Sequence, residues 1–100
     1  MKIISKEDII SYLNANKTLL YEKYGVNRIG IFGSFIHGLQ THSSDVDLVI
    51  EMERSRKNIH SYFRLKRFLE KELDRKVDLG FEHAIKPAVR EKIKEEIIYV

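Results

Sequence analysis

Ile29-Gly30-Ile31-Phe32-Gly33-Ser34-Phe35-Ile36-His37-Gly38, followed after a polar loop by Ser44-Asp45-Val46-Asp47-Leu48-Val49-Ile50-Glu51-Met52, decides how this chain is read. The first apolar run has the character of a buried strand, breaks at Gly33-Ser34, and returns into a second apolar run that begins with two aspartates. Successive side chains of a strand point to opposite faces, so Asp45 and Asp47 share one face while Val46 and Leu48 take the other. Two carboxylates so close repel each other unless a cation lies between them, and a hard divalent ion with oxygen ligands, Mg²⁺ first, is the usual remedy. Upstream, Gly33 permits a tight turn and a close backbone approach, and Ser34 is placed to cap the short helix predicted after it. The free N–H groups of such a turn favour an anion, so a phosphate held there would face the metal.

Each piece alone is weak, because Gly-Ser is common in turns and an Asp-x-Asp pair is more often a solvated strand end. The spacing makes them specific: residues 35–44 separate Ser34 from Asp45. That arrangement resembles the nucleotidyltransferase superfamily of the DNA polymerase beta type. Gly38, Ser44 and Leu48 extend the likeness to its minimal nucleotidyltransferase branch, the MntA-like antitoxins. The resemblance implies that Gly33 and Ser34 hold nucleotide phosphates and that Asp45 and Asp47 bind Mg²⁺. It also implies a third carboxylate on a later strand, matched by Asp78 in Lys76-Val77-Asp78-Leu79, which completes the metal site and assists the attacking hydroxyl.

The chain has 100 residues, 43% of them hydrophobic, enough for one nucleotidyltransferase domain over 1–100 and one core. It has no cysteine, which excludes a disulfide framework or a zinc-thiolate site and suits a reducing compartment. No apolar run is long enough to span a bilayer, and Met1-Lys2-Ile3-Ile4 leads straight into charged residues, so the expected location is cytoplasmic. Eighteen basic against fifteen acidic residues leave a net charge of only +3, a poor footing for direct nucleic-acid binding.

Ser5-Lys6-Glu7-Asp8 reads as a helix start, and Ile9, Ile10, Leu13, Leu20, Tyr21 and Tyr24 recur at helical spacing up to Gly25, predicting one structural helix. Strands are expected at about 28–32, 46–53 and 75–81, and helices at about 59–73 and opening at Lys86-Pro87, with Val89, Ile93 and Ile97 as the last apolar stripe and the apolar ending 96–100 left to pack into the core or mark a partner surface. Glu51 and Glu53 continue the Asp45/Asp47 face but lie over about 10 Å from Asp47, too far to share an ion. Arg54-Ser55-Arg56-Lys57-Asn58 reads as a solvated basic loop with a mobile tip. Arg54 with His60-Ser61-Tyr62 fits the loose Arg/His-x-Tyr pattern of HEPN ribonucleases, but those domains are all-helical and here the arginine leaves a strand, so the match is assigned to chance. His37, His42, His60 and His83 fall at no metal-ligand spacing, although His42, near the acids, could touch a phosphate.

These expectations combine into an α+β fold: a small mixed β-sheet with helices packed on one face, acids on the other, and the polymerase beta palm-like topology. The short link between the first two strands favours an antiparallel pair. By resemblance, the activity is transfer of AMP from ATP to a tyrosine of a HEPN-domain toxin, making the chain the Mg²⁺-dependent adenylyltransferase antitoxin of a HEPN/MNT pair and part of a hetero-oligomer. Two alternatives stay open: an antitoxin that neutralises by contact alone, and a small-molecule nucleotidyltransferase that builds its pocket by pairing.

Overall fold

The computed structural model describes residues 5–36, 38, 45–93 and 96–100, without the side chain of Ser34. Its N-terminal segment starts as the sequence dictates: the Ser5 hydroxyl accepts the Asp8 N–H at 3.2 Å and the Asp8 carboxylate accepts the Ser5 N–H at 3.1 Å, a complete capping box. The expected single helix is two, α1 (Lys6–Ala15) and α2 (Lys17–Tyr24). Asn16 interrupts them because its side-chain amide donates to the Tyr12 carbonyl at 2.8 Å and its backbone leaves the helical region, at φ −113° and ψ 12°. Gly25 then closes α2 in the left-handed conformation, at φ 74°.

Strands β1 (Val26–Phe32) and β2 (Val46–Met52) pair antiparallel, as the short connection requires. Helix α3 (Ile59–Leu73), capped by the Asn58 side chain accepting the Ser61 N–H at 2.8 Å, carries the chain to β3 (Val77–Phe81), which lies parallel to β2. Helix α4 (Pro87–Ile93) opens on Pro87, whose missing N–H is not needed there. The last stretch corrects the sequence reading: Ile97 lies outside the helix, and Ile98–Tyr99 form a fourth strand, β4, antiparallel to β1. The sheet order is β3-β2-β1-β4.

Alternation fixes the two faces. Ile29, Ile31, Val46, Leu48, Ile50, Val77 and Leu79 meet Ile9 and Leu13 of α1, Leu20 and Tyr24 of α2, and Leu65, Leu69 and Leu73 of α3 in one buried cluster. Leu73 ends the helix because Asp74 turns left-handed, at φ 52°. Helix α4 buries no residue in this core. The other face carries Asp47 and Asp78, with Gly30, Val49 and Gly80 in the next row and Arg28 with Glu51 beyond.

The basic 54–58 segment is exposed, as the sequence reading expects, except at Arg56, which is half-buried. Arg54–Arg56 form a 3₁₀ turn, and the Arg56 guanidinium donates to the Tyr21 and Glu22 carbonyls at 2.7 and 2.5 Å, capping the end of α2 instead of extending into solvent.

Candidate active site

Parallel register does what sequence separation hides. Asp47 of β2 pairs with Asp78 of β3, and Phe32 of β1 pairs with Asp47, so one row across the sheet reads Phe32, Asp47, Asp78. Neighbouring strands lie about 4.8 Å apart, which brings the two carboxyl groups together on the face opposite helices α1 to α3. A backbone bond from the Val46 N–H to the Lys76 carbonyl, 2.9 Å, fixes that register at the strand starts.

The electrostatics record the crowding. Burial, then the negative charges of Asp78 and Asp45, then a hydrogen bond shared with Asp78, push the Asp47 carboxyl from its ordinary 3.8 up to about 6. Asp78 and Asp45 are exposed, while Asp47 is half-buried between them. Among the described residues no three Asp, Glu, His or Cys side chains stand grouped so as to hold a metal ion. The structure thus brings Asp47 and Asp78 into contact and leaves Asp45 one residue before β2, close enough for its charge to act on Asp47.

Gly33 shapes the site from the other side. At φ 83° it opens a 3₁₀ turn, Gly33–Phe35, and a Cβ there would lie 2.1 Å from Asp47 Oδ2. The glycine therefore makes room for an acid as well as permitting the turn, a role its position in the sequence did not signal. Ser34 is not the cap: Phe32 holds that position, Ser34 sits inside the turn, and its side chain lies outside the described residues, as do His37 and His42. Beneath the turn, Phe35 is buried and the buried Arg75 guanidinium lies 5.3 Å from its ring centre. Arg75 was readable only as the polar start of a strand; nothing local in the sequence announces that it reaches the turn.

Whether a divalent cation fits can be judged from the donor set. Burial and the neighbouring acids raise the Asp47 carboxyl to about 6, an arrangement a cation would offset, and the hard carboxylate oxygens of Asp47 and Asp78 suit Mg²⁺-class ions over softer metals.

A four-stranded mixed sheet with a glycine turn at the end of β1 and paired acids on β2 and β3 is the plan of a nucleotidyltransferase. The chain belongs to that family: the nucleotidyltransferase domain model matches residues 13–100. Its relatives include the protein adenylyltransferase MntA of Thermococcus cleftensis, 33% identical over all of both chains. Another is the Methanocaldococcus jannaschii protein MJ0128, provisionally named a protein adenylyltransferase, 40% identical and again covering both chains fully. A solved structure described provisionally as a minimal nucleotidyltransferase superposes with a TM-score of 0.80 at 30% identity over 98% of each chain. A toxin–antitoxin complex with AMP-PNP shares the fold, with a TM-score of 0.67 at 23% identity over 87% of this chain and 72% of that one.

Proposed function

We propose that the whole chain, 1–100, acts as one nucleotidyltransferase domain that moves AMP from ATP onto a tyrosine hydroxyl of a HEPN-domain toxin, and so is the antitoxin of such a pair in the cytoplasm. One observation carries this reading: Asp47 and Asp78 are held side by side, with the Asp47 carboxyl raised to about 6, against a glycine turn that only an absent side chain allows. Relatives named protein adenylyltransferases support the choice of AMP, and the fold shared with toxin–antitoxin complexes supports the partner. Recognition of the acceptor falls to the toxin, within a hetero-oligomer.

Asp45, Asp47 and Asp78 would hold Mg²⁺. When bound, the ion neutralises charge at the α-phosphate and on the departing pyrophosphate. The N–H groups of the Gly33 turn and the Ser34 hydroxyl take the outer phosphates. Asp78 takes the proton of the attacking hydroxyl. A bond forms between the acceptor oxygen and the α-phosphorus, the bond from that phosphorus to the bridging oxygen breaks, and pyrophosphate leaves.

The test uses ATP labelled at the α-phosphate, Mg²⁺ and the co-expressed toxin. Label should appear on the toxin with the wild type and vanish with Asp45→Asn plus Asp47→Asn. A double variant that neutralises the toxin as well as the wild type would show that contact alone suffices for neutralisation, and a wild type that leaves the toxin unlabelled would end the catalytic reading.

A further inference from the structure

Four of the five glycines have reasons inside the fold. Gly25, Gly33 and Gly38 adopt positive φ, and a Cβ on Gly30 would stand 2.7 Å from Ile97 Cγ2. Gly80 has neither reason: its φ is ordinary, and no described atom lies within 4 Å of where its Cβ would be. A glycine inside a strand loses chain entropy and packs nothing, and such positions commonly mark where another molecule comes close. Gly80 lies two residues from Asp78 on the same face of β3, about 6.6 Å along the strand.

The direction of the reaction says which molecule. The phosphate turn stands at the end of β1, Asp47 is central, and Asp78 is outermost, on edge strand β3. Attacking and leaving oxygens lie roughly in line, so with pyrophosphate departing over β1 the nucleophile arrives over β3. The edge of β3 is closed to strand addition at two of its groups: the Val77 N–H donates to Glu70 Oε2 at 3.0 Å, and the Leu79 carbonyl accepts the Tyr62 hydroxyl. Those two bonds disfavour backbone pairing at the edge and leave side-chain contact as the better route. Beside that edge, Ile59 is 74% and Phe63 46% exposed, and with Tyr62 and Phe81 they line an apolar hollow of about 340 Å³.

We propose that the partner's acceptor side chain enters over β3, lying on the bare backbone of Gly80 with its hydroxyl at Asp78, while the Ile59–Phe63 patch receives apolar surface of the same partner. This rests on the transferase reading above.

The experiment uses Gly80→Leu, whose Cβ has open space and whose longer side chain would fill the bed. Three quantities are measured: thermal midpoint, Kd for AMP-PNP with Mg²⁺, and transfer from labelled ATP to the toxin and to N-acetyl-tyrosinamide. Transfer to both acceptors should fall by at least about tenfold while the AMP-PNP Kd changes by less than about twofold. Unchanged transfer would overturn the inference, as would an equal loss of AMP-PNP affinity, which would put the nucleotide on Gly80 instead. If Gly80→Leu does not fold, Gly80→Ala carries the test with a several-fold loss of transfer; unfolding of Gly80→Ala as well would assign the glycine to the fold. Phe63→Glu should weaken the toxin complex by about tenfold or more, and unchanged affinity would remove the patch as the docking surface. A wild type that binds no AMP-PNP and transfers nothing would sink the transferase reading itself, whereas an active wild type matched by an active Gly80→Leu sinks this inference alone.

Discussion

Asp47 is where function and stability oppose each other. Its carboxyl is raised from 3.8 to about 6, so between those values the native state keeps a proton that the unfolded chain has released. The resulting stabilisation is full below about pH 4 and is lost as pH rises through about 6, reduced by solvent screening because the group is only half-buried. Asp47→Asn should therefore raise the metal-free melting temperature at pH 7.5 by roughly 2–6 °C, with no gain at pH 4. Calorimetry at the two pH values checks this, and an equal gain at both would refute the electrostatic origin. The same variant should lower transfer by about 100-fold or more if the acid holds the metal. Gly33→Ala drives a methyl into Asp47 Oδ2 at a positive φ, so it should cost about 1–3 kcal/mol in chemical denaturation and weaken Mg²⁺-dependent nucleotide binding. The aspartates and Gly33 were legible because their spacing along the chain is itself the signal. The Asp47–Asp78 contact depended on strand register, and Arg75 over Phe35 depended on a tertiary approach, neither of which leaves a local pattern.

Among the elements, α2 depends on a residue from a distant loop. Its last turn leaves carbonyls without partners, and Arg56, over thirty residues away, donates to two of them. Arg56→Ala should cost about 1–2 kcal/mol, a fall in melting temperature of roughly 5–10 °C, with Arg56→Lys intermediate because it keeps the charge but loses the fork. Thermal unfolding followed by circular dichroism decides it, and a change under about 1 °C would show the cap to be idle. The sequence could not announce this, since an arginine among Arg54, Lys57 and Asn58 looks like any solvated loop. Helix α3 was legible from Ile59 to Leu73 because its apolar stripe is long and periodic. Strand β4 was not: two residues carry no period, and Ile97 fits the helical spacing of Val89 and Ile93 equally well. What places the segment is the unpaired side of β1, where the Val100 N–H donates to the Ile29 carbonyl at 3.0 Å and Ile97 lies over Gly30.

At the scale of the molecule, α1, α2, α3 and the three longer strands bury their apolar faces in a single cluster, so a ligand on the acid face is linked to unfolding of that whole core. The acids repel one another, and a cation offsets that repulsion, which makes the linkage specific: nucleotide and cation should stabilise together more than either does alone. At about ten times its Kd, ATP with Mg²⁺ contributes about 1.4 kcal/mol, enough to raise the melting temperature of a 100-residue protein by roughly 5–10 °C. Mg²⁺ by itself should give a smaller rise, larger at pH 7.5 than at pH 5, because below about 6 a proton on Asp47 competes with the ion. Asp45→Asn with Asp47→Asn should abolish the Mg²⁺-dependent increment. A differential scan across the four ligand conditions reads all of this at once, and an equal rise with ATP in EDTA would mean that the nucleotide binds without the acids.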